Sequence, residues 1–199
     1  TWEKGKIQSL SNMIGLYETT MDRIERIDRK LAYKGSMLDV YSDTIKTPDG
    51  KLVNYDHIHH PGAAAVIPVL DDGRIILVRQ YRNSLDRYTL EIPAGGIESG
   101  EDTMTSARRE LEEETGYKCG RIKTFISVVT AVAFCNEIVD IFIADKLTKT
   151  AQNLDPEEFI NVEIYSLEEL FQKIFSGEIQ DSKTVSAIMA YMEYVRHTM

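Results

Sequence analysis

Apolar positions along the chain change period twice, and the changes mark out its elements. Between residues 6 and about 27, Ile7, Leu10, Ile14, Tyr17, Met21 and Ile24 recur at steps of three and four. That spacing predicts an amphipathic helix, which either packs on its own domain or serves as an arm against a second subunit. From Ile27 the pattern shifts toward alternation, and Met37 to Ile45 forms a second extended run. Thr47-Pro48-Asp49-Gly50 is a turn, because proline presets φ and glycine supplies the left-handed position. Lys51 to His60 then returns as a strand, so residues 27–60 read as a small antiparallel β unit.

After Pro61-Gly62, Ala63 to Leu70 is almost continuously apolar. Such a run, bounded by turns, predicts a strand buried on both faces. The Asp71-Asp72-Gly73 turn leads to a partner over residues 74–82, and together they read as a central hairpin. Tyr88 to Ile92 is a further short strand. Met104, Ala107, Leu111 and Thr115 give one buried stripe to a helix over about 103–115, with Asp102 as N-cap and Gly116 just past its end. Residues 120–132 and 136–144 read as strands, 145–158 as an exposed loop, and 159–165 as a strand. Ser166 and Glu169 have capping-box spacing for a helix to about Ser176, and a last helix starts at Asp181 or Ser182. Alternating strands and helices predict an α/β fold, a mixed sheet sandwiched between helices over residues 61–199, preceded by the β-rich region 1–60.

Composition narrows the function more than the fold. With 43% hydrophobic residues in 199, one substantial core is available. Against 32 acidic residues stand 23 basic ones, a net charge of −9 that argues against a nonspecific nucleic-acid or membrane-surface binder. An anionic substrate then needs a cation to approach. Cys119 and Cys135 form no zinc pattern or disulfide framework, no apolar run is long enough for a membrane span, and the start lacks a secretion leader. Reduced thiols in a cytoplasmic protein are expected.

The chemistry concentrates in one stretch. Gly95, Gly96 and Gly100 free the backbone for a ligand loop, and the helix that follows carries Glu110, Glu113 and Glu114 on one side. Like charges at that spacing weaken a helix by a few tenths of a kcal/mol per pair, roughly 0.2–0.5. A divalent cation would offset this, and hard cations such as Mg²⁺ are commonly shared between one or two carboxylates and substrate phosphates.

The spacing itself carries a resemblance. Gly95, five residues, Glu101, seven residues, then Arg109-Glu110-Leu111-Glu112-Glu113-Glu114-Thr115-Gly116-Tyr117 resembles the Nudix box with no fixed position missing. The β-rich N-terminal region, and Val78-Arg79-Gln80-Tyr81-Arg82 ahead of Glu91-Ile92-Pro93-Ala94-Gly95-Gly96, look most like the ADP-ribose and nucleotide-sugar pyrophosphatases of that family. The resemblance implies the α/β/α sandwich and hydrolysis of a nucleoside diphosphate sugar. It further implies Mg²⁺, with Mn²⁺ as a substitute, and a homodimer built by the N-terminal region. Glu110, Glu113 and Glu114, with the carbonyl of Ala94, would hold the metal, Arg109 would orient the carboxylates, and Glu101 would hold the loop against the helix. A general base on a later loop falls on Glu158, with Glu157 the alternative. Tyr81 would stack on a base, Arg82 pair with phosphate, and Glu91 meet ribose or base hydroxyls. Members acting on ADP-ribose often carry a proline about fifteen or sixteen residues past the box, where this chain has Val132 and Ala133, so the implied substrate extends to related nucleotide sugars. A nucleotide-sugar sensor without catalysis is the alternative from another class; the intact glutamate cluster argues against it.

Overall fold

The computed structural model of the chain describes residues 23–36 and 38–198. The helix expected over 6–27 lies outside these residues except at its end, where Glu25 already begins a strand. The chain divides between Ile58 and His59 into two compact units.

In the first unit, β1 (Glu25–Lys34), β2 (Asp39–Lys46) and β3 (Leu52–His59) form one sheet in that order. The turn into β3 closes by a bond from the Gly50 N–H to the Thr47 carbonyl, 2.8 Å, with Gly50 at φ 83°. Asp43 is buried in β2, and a charge left there alone would be costly. Arg29 of β1 answers it with Nε and Nη2 donating to the two carboxylate oxygens, each at 2.6 Å, which holds the Asp43 carboxyl below the usual carboxylate range.

In the second unit, β4 (Ala63–Pro68) explains the long apolar run. Its alternate residues face two separate cores, so neither set of positions can be polar. Ala64 and Val66 join Ala107 and Leu111 of α1 (Thr103–Thr115). Ala65 and Ile67 join Leu170 of α2 (Leu167–Phe175) and Ile188 of α3 (Ser182–Thr198). Each fully buried side chain the size of Ile67 or Leu111 contributes about 1.5–3 kcal/mol.

The expected pairing of residues 63–70 with 74–82 is corrected. β4 lies between β7 (Ala94–Gly96), antiparallel, and β9 (Ile138–Lys149), parallel, with β8 (Tyr117–Val129) beyond β9. Both edges of β4 are thereby used, and a strand has only two. β5 (Ile75–Arg82) pairs instead with β10 (Ile160–Tyr165) and β6 (Arg87–Glu91) in a second sheet, and a single bridge between Val69 and Ile75 is the link to the preceding strand. The exposed loop expected from residue 145 is also corrected. β9 continues to Lys149, pairing Asp145 with Arg121 and Leu147 with Cys119, so the loop begins at Thr150. Helix termini follow the expected chemistry: Ser166 and Glu169 form the full capping box. No helix among the described residues is long and apolar enough to cross a membrane.

Candidate functional site

The loop from β7 into α1 is shaped by its caps. The Asp102 side chain accepts from the Thr105 N–H at 2.7 Å and fixes the helix start. Gly116, at φ 70°, ends the helix by donating its N–H to the Glu112 carbonyl at 2.8 Å. The helix's last carbonyls find partners in the segment after β9. Asn153 N–H donates to the Glu113 carbonyl at 3.0 Å, Gln152 Nε2 to the Glu114 carbonyl at 2.6 Å, and Thr150 N–H to the Gly116 carbonyl at 2.7 Å. These bonds satisfy groups a helix end would otherwise orphan, and they tether to the helix the loop that carries Glu157 and Glu158.

On the helix, Glu110 and Glu114 are buried and Glu113 is half-buried. Glu110 rests against Gly95, where an added Cβ would lie 2.0 Å from Oε1. Burial, then the neighbouring Glu110 charge, pushes the Glu114 carboxyl up to about 8, against one bond accepted from the Ala94 N–H at 3.0 Å. Burial likewise raises Glu110, opposed by Arg109. The Glu158 charge adds to the rise at both positions, so that loop residue lies within electrostatic reach of this carboxylate ridge. Glu157 is exposed, whereas Glu158 is half-buried and accepts from the Asp155 N–H at 3.2 Å.

Arg109 joins these parts. Nη1 donates to Glu110 at 2.7 Å and to Glu113 at 2.9 Å. Nε and Nη2 donate to the two oxygens of Glu101 at 3.2 and 3.1 Å, and Nη2 also reaches the Gly96 carbonyl at 2.9 Å. One planar guanidinium thus ties the glycine loop to the helix carboxylates, a task for which a lysine has too few fixed donors. Ser106, buried and not foreseen from the sequence, adds a bond from Oγ to the Gly96 carbonyl at 3.1 Å.

Among the described residues no three acidic, histidine or cysteine side chains already converge as a ready-made metal cage. The donor chemistry nevertheless fits a hard cation. Two buried carboxylates, one carrying no cationic partner in hydrogen-bond contact among the described residues, stand beside a third on the same helix, and oxygen donors of this kind suit Mg²⁺.

Beside the ridge lies a second cluster. Glu91 is buried at the end of β6, where Arg82 Nε and Nη2 donate to its two oxygens, each at 2.8 Å. Thr89 Oγ1 donates to it at 2.6 Å, and Lys183 Nζ from the first turn of α3 completes its acceptor sites. Burial alone would raise Glu91, but Arg82 and Lys183 together hold it well below the usual carboxylate range. Tyr81 is not part of this cluster. Neighbouring residues on a strand point to opposite faces, and Tyr81 packs edge-on against Tyr88, its register partner, while donating to Asp86. Lys183 was missed from sequence because nothing in the spacing joins position 183 to 91. The one available signal was a lysine in a helix's first turn, where the dipole disfavours a cation unless a carboxylate answers it.

Comparison with known proteins agrees with this geometry. Residues 59–187 match the NUDIX domain family. The chain is 38% identical over 164 residues to an ADP-ribose pyrophosphatase of Bacillus subtilis, covering 81% of this chain and 89% of that one. It is 37% identical over 186 residues to the methanol dehydrogenase activator of Bacillus methanolicus, covering 92% and 98%. A crystal structure of an ADP compounds hydrolase superposes with a TM-score of 0.82 at 20% identity, over 89% of this chain and 97% of that one, a likeness of fold.

Proposed function

Because the chain belongs to the Nudix family, we propose that it hydrolyses the pyrophosphate bond of ADP-ribose or a related nucleoside diphosphate sugar to a nucleoside monophosphate and a sugar phosphate. The observation that carries this is Arg109 binding Glu101, Glu110 and Glu113 together, so that glycine loop and helix carboxylates form one assembly. The name of the Bacillus subtilis relative supports the substrate class.

Glu110, Glu113 and Glu114, with the Ala94 carbonyl, would hold Mg²⁺ or Mn²⁺. A bound divalent ion offsets the charge of the diphosphate and lowers the pKa of a water. Arg109 keeps the carboxylates in place before substrate arrives. Glu158, whose charge is felt at Glu110 and Glu114, takes the proton of the attacking water. Arg82 has Nη1 without a partner among the described residues and offers it to a phosphate oxygen, while Glu91 keeps the guanidinium aimed. Tyr81 stacks on a base only where a substrate reaches around the hairpin edge. A homodimer built by the N-terminal region belongs to the same reading, supported by Ile27, Leu31 and Tyr33 of β1, each at least half exposed. So does a reducing cytoplasmic setting, with Cys119 and Cys135 as free thiols.

The test is incubation with Mg²⁺ and a panel of ADP-ribose, sugar nucleotides, dinucleoside polyphosphates and nucleoside triphosphates. Release of nucleoside monophosphate from the sugar nucleotides, abolished by EDTA, is expected; no turnover of any member would defeat the reading. A second reading draws on the Bacillus methanolicus relative, which is named as an activator of a dehydrogenase and matches over nearly its full length. Turnover by this chain alone, without a partner enzyme, separates the two.

A further inference from the structure

β6 and β7 belong to different sheets, and Ile92 and Pro93 carry the chain from one to the other. The β6 ladder ends where Glu91 meets Val78, and the β7 ladder begins where Ala94 meets Ala65. Both crossing residues are buried, so their backbone groups need partners inside the protein. Proline has no N–H to offer, and the Pro93 carbonyl accepts from the Val66 N–H at 3.0 Å. The Ile92 N–H goes to a side chain: it donates to Thr184 Oγ1, in the first turn of α3, at 2.9 Å.

Thr184 is fully buried, and this bond decides what its hydroxyl does. An amide N–H can only donate, so Oγ1 accepts it and sends its own proton elsewhere. The proton goes to Asp181 Oδ2 at 2.5 Å, an oxygen that also accepts from the Thr184 N–H at 3.0 Å and from Lys183 Nζ at 3.0 Å. Asp181 thus caps the helix and fixes the threonine rotamer in the same contact. The preceding residue, Lys183, donates to the Glu91 carboxylate. Adjacent residues of the last helix therefore hold adjacent residues of the strand end, Glu91 by its side chain and Ile92 by its backbone.

Ala94 follows two residues after Ile92. Its N–H donates to Glu114 Oε2 at 3.0 Å, and its carbonyl belongs to the metal site proposed above. The residue between them is proline, whose ring fixes φ, so a displacement of Ile92 is carried on to Ala94 rather than absorbed. Resting on the hydrolase reading above, we propose that Thr184 is a positioning residue for the metal site: its hydroxyl, oriented by Asp181, holds the Ile92 N–H and so sets where the Ala94 backbone stands against Glu114. Valine has nearly the same shape and would fill the same space. It would leave the Ile92 amide buried without an acceptor, a costly state from which the crossing segment escapes only by shifting.

The experiment titrates Mn²⁺ alone onto the full chain without substrate, followed by the electron paramagnetic resonance of the free ion, for wild type, Thr184→Val and Thr184→Ser, with thermal melts alongside. Thr184→Val should bind Mn²⁺ about tenfold more weakly, the lower end for loss of a group that orients a metal ligand. Thr184→Ser keeps the acceptor and should bind as wild type does. In the hydrolysis assay the Mg²⁺ concentration for half-maximal turnover of ADP-ribose should rise by the same factor in the valine variant, with KM for ADP-ribose at saturating Mg²⁺ unaltered. A valine variant that melts lower yet binds Mn²⁺ as wild type does, or a serine variant as weak as valine, would overturn the assignment. Where valine prevents folding, Thr184→Ala is read by the same outcomes. Mn²⁺ binding weakened by valine, with no nucleotide sugar turned over by wild type, would remove the hydrolase reading and leave the positioning role standing; no Mn²⁺ binding to wild type would remove both.

Discussion

The Glu110 carboxylate lies against the backbone of Gly95, so close that a Cβ at position 95 would stand 2.0 Å from Oε1. The clash is with the far end of a flexible side chain, so Gly95→Ala can fold by pushing that carboxylate aside. Its melting temperature should fall by little, while turnover should fall about 100-fold, the effect of a roughly 1 Å misplacement in a reacting site. Unchanged turnover would separate Glu110 from the chemistry.

Arg109→Lys keeps the charge but cannot bind Glu101, Glu110 and Glu113 from one rigid plane. Turnover should drop at least 100-fold, and stability should fall by about 1–3 kcal/mol from lost charge-assisted bonds, measured by urea titration. A lysine variant as active as wild type would show that a point charge suffices.

Glu158→Gln should lower kcat by about 10² to 10⁴, the range for a general base, with KM little altered. Glu157→Gln should behave as wild type, because Glu157 is exposed on the loop whereas Glu158 is half-buried and its charge is felt at Glu110 and Glu114. Steady-state kinetics on the pair checks both, and the reverse result would move the base to Glu157.

Glu91 gives a pH signature. Burial opposes its charge, but Arg82 and Lys183 hold its folded pKa below the unfolded value. Its contribution to stability is therefore present above about pH 4.3, the ordinary glutamate value, and is lost as pH falls through that value toward the folded pKa. Glu91→Gln should be less stable than wild type near neutrality, and the gap in melting temperature should close progressively in acid. A gap constant with pH would mean that the charge on Glu91 contributes nothing.

Mg²⁺ should raise the melting temperature of metal-free protein, since a ligand that binds only the folded state stabilises it. Glu114→Gln should melt at a temperature indifferent to Mg²⁺. A variant that responds as wild type does would take Glu114 out of the metal site.

The amino-acid sequence determined by itself whatever depends on neighbours a few residues apart. Asp102 and Gly116 bound α1 because caps act within one turn, Ser166 and Glu169 made their box for the same reason, and the glutamates of the helix shared a side because 3.6 residues complete a turn. Only the tertiary structure decided which strands pair, since β4 and β5 each present two good edges and packing of the whole second unit placed them in different sheets. It also decided that Arg82 and Glu91 share a cluster with Lys183 while Tyr81 turns to the other face. A side chain from the last helix meets a strand 92 positions earlier only after the core has closed around both, and no local period records that meeting.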